Sequence, residues 1–150
     1  YVTGAGRGGH GTWGLAARMP DRFAAAVPIR GQNIGIDDYA ALATVPIWAA
    51  HLTEDDEVSF EHSKVAVEKI EAEAGGPFMR LASLEPEGDA YLTERRLFTT
   101  YAGTQIPNLY AHPHVLKWLL GHSRAPQGSE AVAPQAEAPQ PSVRGEERFR

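Results

Sequence analysis

The chain has 150 residues, 43% of them hydrophobic, which suffices for one domain with a real core. A net charge of −5, from 14 basic and 19 acidic residues with no basic run, argues against nucleic acid and against an anionic membrane surface as partners. Cysteine is absent, which excludes disulfides, thiolate metal sites and a cysteine nucleophile but leaves the compartment open, and no apolar run is of membrane-spanning length.

Tyr1-Val2-Thr3 reads as the last residues of a strand rather than a whole one, since a buried strand usually takes about five or six residues. The chain is therefore read as a fragment whose upstream strands, with any targeting signal, are missing. A glycine cluster follows, and Thr12 to Met19 predicts a short helix ended by Pro20-Asp21. Phe23 to Ile29, wholly apolar apart from its proline, suits a strand covered on both faces. Arg30 to Asp38 is a glycine-rich polar loop. Val45 to Ala50 is a second apolar run, followed by the acidic cluster Glu54-Asp55-Asp56-Glu57.

Ser59 to Ala74 predicts a helix with Val67, Ile70 and Ala74 inward and Glu61, Lys64, Glu68 and Glu71 outward, stopped by Gly75-Gly76. Phe78 to Leu84 is a third strand candidate, and the charged stretch from Leu92 to Pro107 is assigned no element. His112-Pro113 opens a last helix with Val115, Leu116, Leu119 and Leu120 on its buried side, closed by Gly121. From Ser123 the chain turns to alanine, proline, glutamine and glutamate, too poor in apolar area to offset the entropy of ordering. The expected organisation is a folded part, 1–122, and a disordered tail, 123–150. Strands alternating with helices predict a parallel α/β sheet.

The glycine cluster has two readings. Gly4, Gly6 and Gly9 fit a dinucleotide-binding fingerprint, in which backbone amides and a helix N-terminus hold a pyrophosphate. That motif wants an acidic residue ending the next strand. Here the strand ends in Arg30, which would at best suit a phosphorylated cofactor.

The second reading gathers more residues. Tyr1-Val2-Thr3-Gly4-x-x-x-Gly8-Gly9-x-Gly11-Thr12-Trp13 is followed by Ala16-Ala17-Arg18-x-Pro20-Asp21-Arg22-Phe23-Ala24-Ala25-Ala26-Val27-Pro28. Val45-Pro46-Ile47-Trp48, His51-x-x-x-Asp55-Asp56-x-Val58 and Glu61-His62-Ser63 come next, and Tyr110-Ala111-x-Pro113-x-x-x-x-Trp118-Leu119-Leu120 ends the series. In order, these resemble the α/β-hydrolases of the prolyl-oligopeptidase, feruloyl-esterase and polyhydroxyalkanoate-depolymerase-like group. The resemblance covers about residues 1–121. It implies a partial α/β-hydrolase fold, a parallel sheet flanked by helices with its N-terminal strands missing, and it implies no cofactor.

In that family a tight strand-to-helix turn lifts a serine oxygen above the sheet. The apex here matches Gly6, which has no oxygen to attack with. The resemblance places the triad acid at Asp55, one oxyanion donor at the backbone amide of Arg7, and the histidine at Asp89, after Gly88. Asp55 also reads as part of a solvated acidic loop, and the Arg7 side chain as a solvated one or as an anion ligand at a helix N-terminus.

The remaining histidines have plainer readings. His10 packs, His51 ends a strand as a satisfied structural histidine, His112 caps a helix, His114 is exposed on its first turn and His122 lies past its end. His51 and Asp55 alone are a weak metal signal.

Function then divides between an esterase-type hydrolase by descent, dead or impaired, and a binding module holding a carboxylate or a sugar. The dinucleotide-binding domain and a degraded gene product complete the set. A small-molecule ester or a carbohydrate-linked ligand is the expected partner, together with an association that covers an exposed sheet edge.

Overall fold

A computed structural model describes residues 1–102 and 112–124. Five strands form one sheet: β1 (Val2–Ala5), β2 (Ala26–Ile29), β3 (Ile47–Leu52), β4 (Met79–Leu81) and β5 (Arg96–Tyr101). Their order is β1-β2-β3-β5-β4 and every pairing is parallel. Four helices cover the sheet: α1 (Arg7–Arg18), α2 (Tyr39–Leu42), α3 (Glu61–Ala74) and α4 (Pro113–Gly121). The expected parallel α/β sheet flanked by helices is what the chain forms.

The central strands explain the unbroken apolar runs. All of β2 and all of β3 are buried, because helices lie on both faces. Alternation along each strand sorts the side chains between the two layers. Ala26, Ile47, Ala49 and Phe98 pack with Trp13 and Ala16 of α1 and Ala66, Val67 and Ile70 of α3. Val27, Ile29, Trp48, Ala50 and Leu97 pack with Val115, Trp118 and Leu119 of α4 and with Tyr91. Trp48 anchors this second layer, edge-on to both Trp118 and Tyr91 at 5.7 and 5.8 Å between ring centres. Both indole N–H groups are satisfied, that of Trp48 by Thr99 Oγ1 and that of Trp118 by the Glu94 carbonyl, each at 2.8 Å.

Several boundaries differ from the sequence reading. Helix α1 starts at Arg7, not Thr12, because its glycines let the first turns lie against strand ends where side chains would collide. The Phe78–Leu84 candidate contracts to three residues at a sheet edge. Strand β5 was not expected. It begins at Arg96, just after Arg95, and carries two threonines, which hide the strand signal, yet it is the strand that pairs with β3 over six residues. On α4 the buried positions are Val115, Trp118 and Leu119, while Leu116 and Leu120 are exposed. On α3 Ser63, Ala66, Val67 and Ile70 form the buried face, and Ala74 is only half-buried. The expected disordered tail falls almost wholly on residues 125–150, which lie outside the described residues, as does the Tyr110-Ala111 pair.

Candidate functional site

Parallel strands bring their C-terminal ends to one side of a sheet, and the ends of β1, β2 and β3 form the site here. Gly6 links β1 to α1 with φ 58° and ψ −116°, a combination that residues with a side chain adopt only under constraint. Its amide is fixed by the Ile29 carbonyl at 2.9 Å. The crossing is tight. A Cβ on Gly4 would stand 2.3 Å from the Gly8 backbone, and one on Gly9 would stand 2.3 Å from the Ile29 oxygen. A Cβ on Gly6 would meet nothing within 4 Å. The turn thus has the shape of a nucleophile elbow, with room at its apex for a side chain that the sequence does not supply.

Gly6, Arg7, His10, Gln32, Glu57 and Val58 line a cavity of about 250 Å³. Arg7 is the first residue of α1, a helix with no acidic residue in its first turn and no capping side chain. The Arg7 side chain is exposed and has no partner among the described residues. One turn on, the His10 ring sets Nδ1 3.0 Å from the Gln32 carbonyl.

Asp55 lies in the loop after β3 with its carboxylate fully buried. Oδ2 accepts from Arg30 Nε at 2.5 Å. Oδ1 accepts from Arg30 Nη2 at 2.8 Å and from the amides of Glu57 and Val58 at 3.0 and 2.9 Å. Arg30 also reaches Glu57 at 3.0 Å. The hydrogen bonds from Arg30 hold the Asp55 carboxyl well below the usual carboxylate range, with the two amides adding to the effect against the cost of burial. Arg30, pushed up in turn by Asp55, stays charged. Arg30 follows β2 at φ 50°, an uncommon backbone for a residue other than glycine, asparagine or aspartate.

His51 is buried and structural, as its place on a strand suggested. A carbonyl can only accept, so Nε2 carries the proton it gives to Val58 O at 2.8 Å, and Nδ1 accepts from Ser63 Oγ at 2.7 Å. Burial lowers its pKa despite Asp55 Oδ2 3.5 Å away. Among the described residues no cluster of three metal-ligating groups exists.

The other expected positions separate. Asp89 is exposed and pairs with Lys117 of α4 at 3.1 Å, with no contact to the elbow residues among those described. The strand beside β3 is β5, and residues 103–111 after it lie outside the described residues. His112 precedes α4 but makes no side-chain cap, and its buried Nδ1 has no described partner. His114 is half-buried, with Nδ1 2.9 Å from the Tyr91 hydroxyl. Sequence reasoning missed the Arg30–Asp55 pair. The signal was available: an arginine ending one buried strand and an acid just past the next are side by side when the strands are parallel neighbours.

No family model matches the chain, and no curated protein matches it. Among solved structures it is similar to one described as a thermostable esterase, with a TM-score of 0.57 and 28% sequence identity. That likeness covers 81% of this chain and 30% of the esterase's, so the chain spans less than a third of that protein. With the sheet and the elbow, it makes the fold hydrolase-like at the level of the superfamily.

Proposed function

We propose that the chain is the later part of an esterase-type hydrolase domain that has lost serine-dependent, acyl-enzyme chemistry. The observation that carries this is Gly6: the apex keeps the elbow's backbone angles and the space for a side chain, yet offers no oxygen. Asp55 supports it. At the position of the triad acid, it is committed to Arg30 through both oxygens, with two backbone amides on Oδ1. We place the chain in the prolyl-oligopeptidase, feruloyl-esterase and polyhydroxyalkanoate-depolymerase-like group on its motifs, with Asp89 at the histidine position. The test is a fluorophosphonate probe followed by intact-protein mass. No adduct, and no burst with a chromogenic ester, are expected; a stoichiometric adduct overturns the reading.

A second reading is a ligand-binding module for a carboxylate, favoured by the unpartnered Arg7 at the cavity and the uncapped start of α1. A carboxylate-dependent rise in Tm that disappears in Arg7→Ala supports it, and a flat titration ends it. The dinucleotide reading loses its cation, since Arg30 is committed to Asp55 and Glu57.

A further inference from the structure

The cavity over Gly6 holds an imidazole whose chemistry the elbow does not use. His10 Nδ1 sits 3.0 Å from the Gln32 carbonyl oxygen. That oxygen can only accept, so in the neutral ring Nδ1 carries the proton and Nε2 carries a lone pair. Nε2 has no hydrogen-bond partner among the described residues. The ring is also held in place: His10 is one turn beyond Gly6 on α1, its amide bonded to the Gly6 carbonyl at 3.0 Å, and it lines the same cavity. A base with a fixed tautomer, oriented by a second group, is the arrangement that general-base catalysis requires.

Two other features converge on the same space. Apart from Gly6 and its chain neighbours, nothing stands within 4 Å of where a Gly6 Cβ would be, which leaves room for a water molecule in place of a side-chain oxygen. The amides of Arg7 and Gly8, at the start of a 12-residue helix, have no acceptor among the described residues. They and the Arg7 guanidinium point to where negative charge is best tolerated. Glu57, the acid lining this cavity, is held by Arg30.

We propose that His10 is a general base for direct, serine-independent hydrolysis of small activated esters in the cavity over Gly6. The inference rests on the reading that acyl-enzyme chemistry is absent, and adds to it a route in which water attacks the ester. The water oxygen bonds to the ester carbonyl carbon as its proton passes to His10 Nε2. The tetrahedral oxyanion is held at the α1 amides. On collapse the carbon–alkoxide bond breaks and the proton on Nε2 goes to the leaving oxygen, giving acid and alcohol with no covalent intermediate and no further reactant.

The test uses the full chain and p-nitrophenyl acetate, comparing the native protein with His10→Asn and His10→Gln. The asparagine variant keeps a donor for the Gln32 carbonyl but has no base, so it retains the local packing. Turnover above buffer and above an equal concentration of free imidazole is expected, without a burst, with a solvent deuterium isotope effect and with no acyl adduct by mass. His10→Asn should lose on the order of 10²-fold of that rate at unchanged Tm. Native protein no faster than free imidazole overturns the proposal, as does an undiminished rate in both variants. An acyl adduct on His10 overturns it in favour of nucleophilic attack. An adduct with the fluorophosphonate probe instead overturns the reading of lost serine chemistry, so the two failures are distinct.

Discussion

Arg30 and Asp55, 25 residues apart in the chain, meet across the ends of β2 and β3 in a two-pronged ion pair of 2.5 and 2.8 Å. The strands make this contact possible. The Arg30 amide is bonded to the Ala50 carbonyl at 2.9 Å, which aligns the two strand ends. The planar fork of a guanidinium matches the two oxygens of a carboxylate, and the Glu57 and Val58 amides add two further bonds on Oδ1. The pair ties the β3 loop down beside the cavity, whose wall includes Glu57 and Val58.

Breaking this pair leaves a buried charge without its partner. Arg30→Met is expected to lower stability by about 3–5 kcal/mol, with Arg30→Lys recovering only part of the loss because one ammonium cannot serve both oxygens. Urea denaturation of Arg30→Met, Asp55→Asn and the double variant reads the coupling. A double variant as unstable as the sum of the singles counts against the pair.

Glycine substitutions on the elbow should divide sharply. Gly9→Ala drives a methyl into the Ile29 carbonyl and is expected to prevent stable folding or to displace α1. Gly6→Ser meets no steric contact but holds a side chain at φ 58°, costing about 1–3 kcal/mol. It should remain folded by circular dichroism, and any labelling by fluorophosphonate should depend on His10, the imidazole that lines the cavity, and fall in the double variant with His10→Asn.

Acid should destabilise the fold in two stages of the same sign. His51 has a lowered pKa in the folded state, so its contribution is full above the unfolded histidine value of about 6.5 and declines as pH falls below it. Asp55 is also lowered. Its contribution is full above the unfolded value of about 3.9 and is lost as pH falls from there toward the folded value. Unfolding free energies measured by urea from pH 8 to pH 3 should fall below about 6.5 and steepen near 4, with Asp55→Asn removing the lower limb.

In the second core layer, Thr99→Val is expected to cost about 1–3 kcal/mol although it keeps the side chain's volume, because the buried Trp48 indole N–H loses its acceptor. Trp118→Ala should cost about 3–5 kcal/mol. Thermal unfolding of the two variants checks the order.

Strand β1 pairs with β2 alone among the described residues. The amides of Val2 and Gly6 turn toward β2, so alternation turns those of Thr3 and Ala5 to the open edge. Concentration-dependent association in sedimentation velocity is the expected result. Thr3→Pro removes an outward donor, together with the Thr3 hydroxyl bond to the Val27 carbonyl, and should weaken the association.

Much of the architecture was legible because it follows from short-range pattern. The apolar runs at Phe23–Ile29 and Val45–Ala50 suit strands covered on both faces, and the Gly75 stop of α3 needs only its left-handed backbone. The glycine cluster declared a tight turn. Strand β5 was illegible since arginines and threonines line a strand whose burial comes from neighbours, Trp48 bonding Thr99 among them. The face of α4 was misjudged because leucine spacing alone cannot tell which side Trp48 will meet.

The sequence by itself determined that Gly6 carries no nucleophile, since composition at one position needs no fold to be read. Only the tertiary structure decided what surrounds that absence. Asp55 is a committed ion-pair partner because parallel pairing sets the β2 end beside the β3 loop, and His10 Nε2 has no partner among the described residues while Gln32 turns its carbonyl to the other nitrogen. Such contacts join residues distant in the chain. Their existence depends on register and backbone angles that no local pattern encodes.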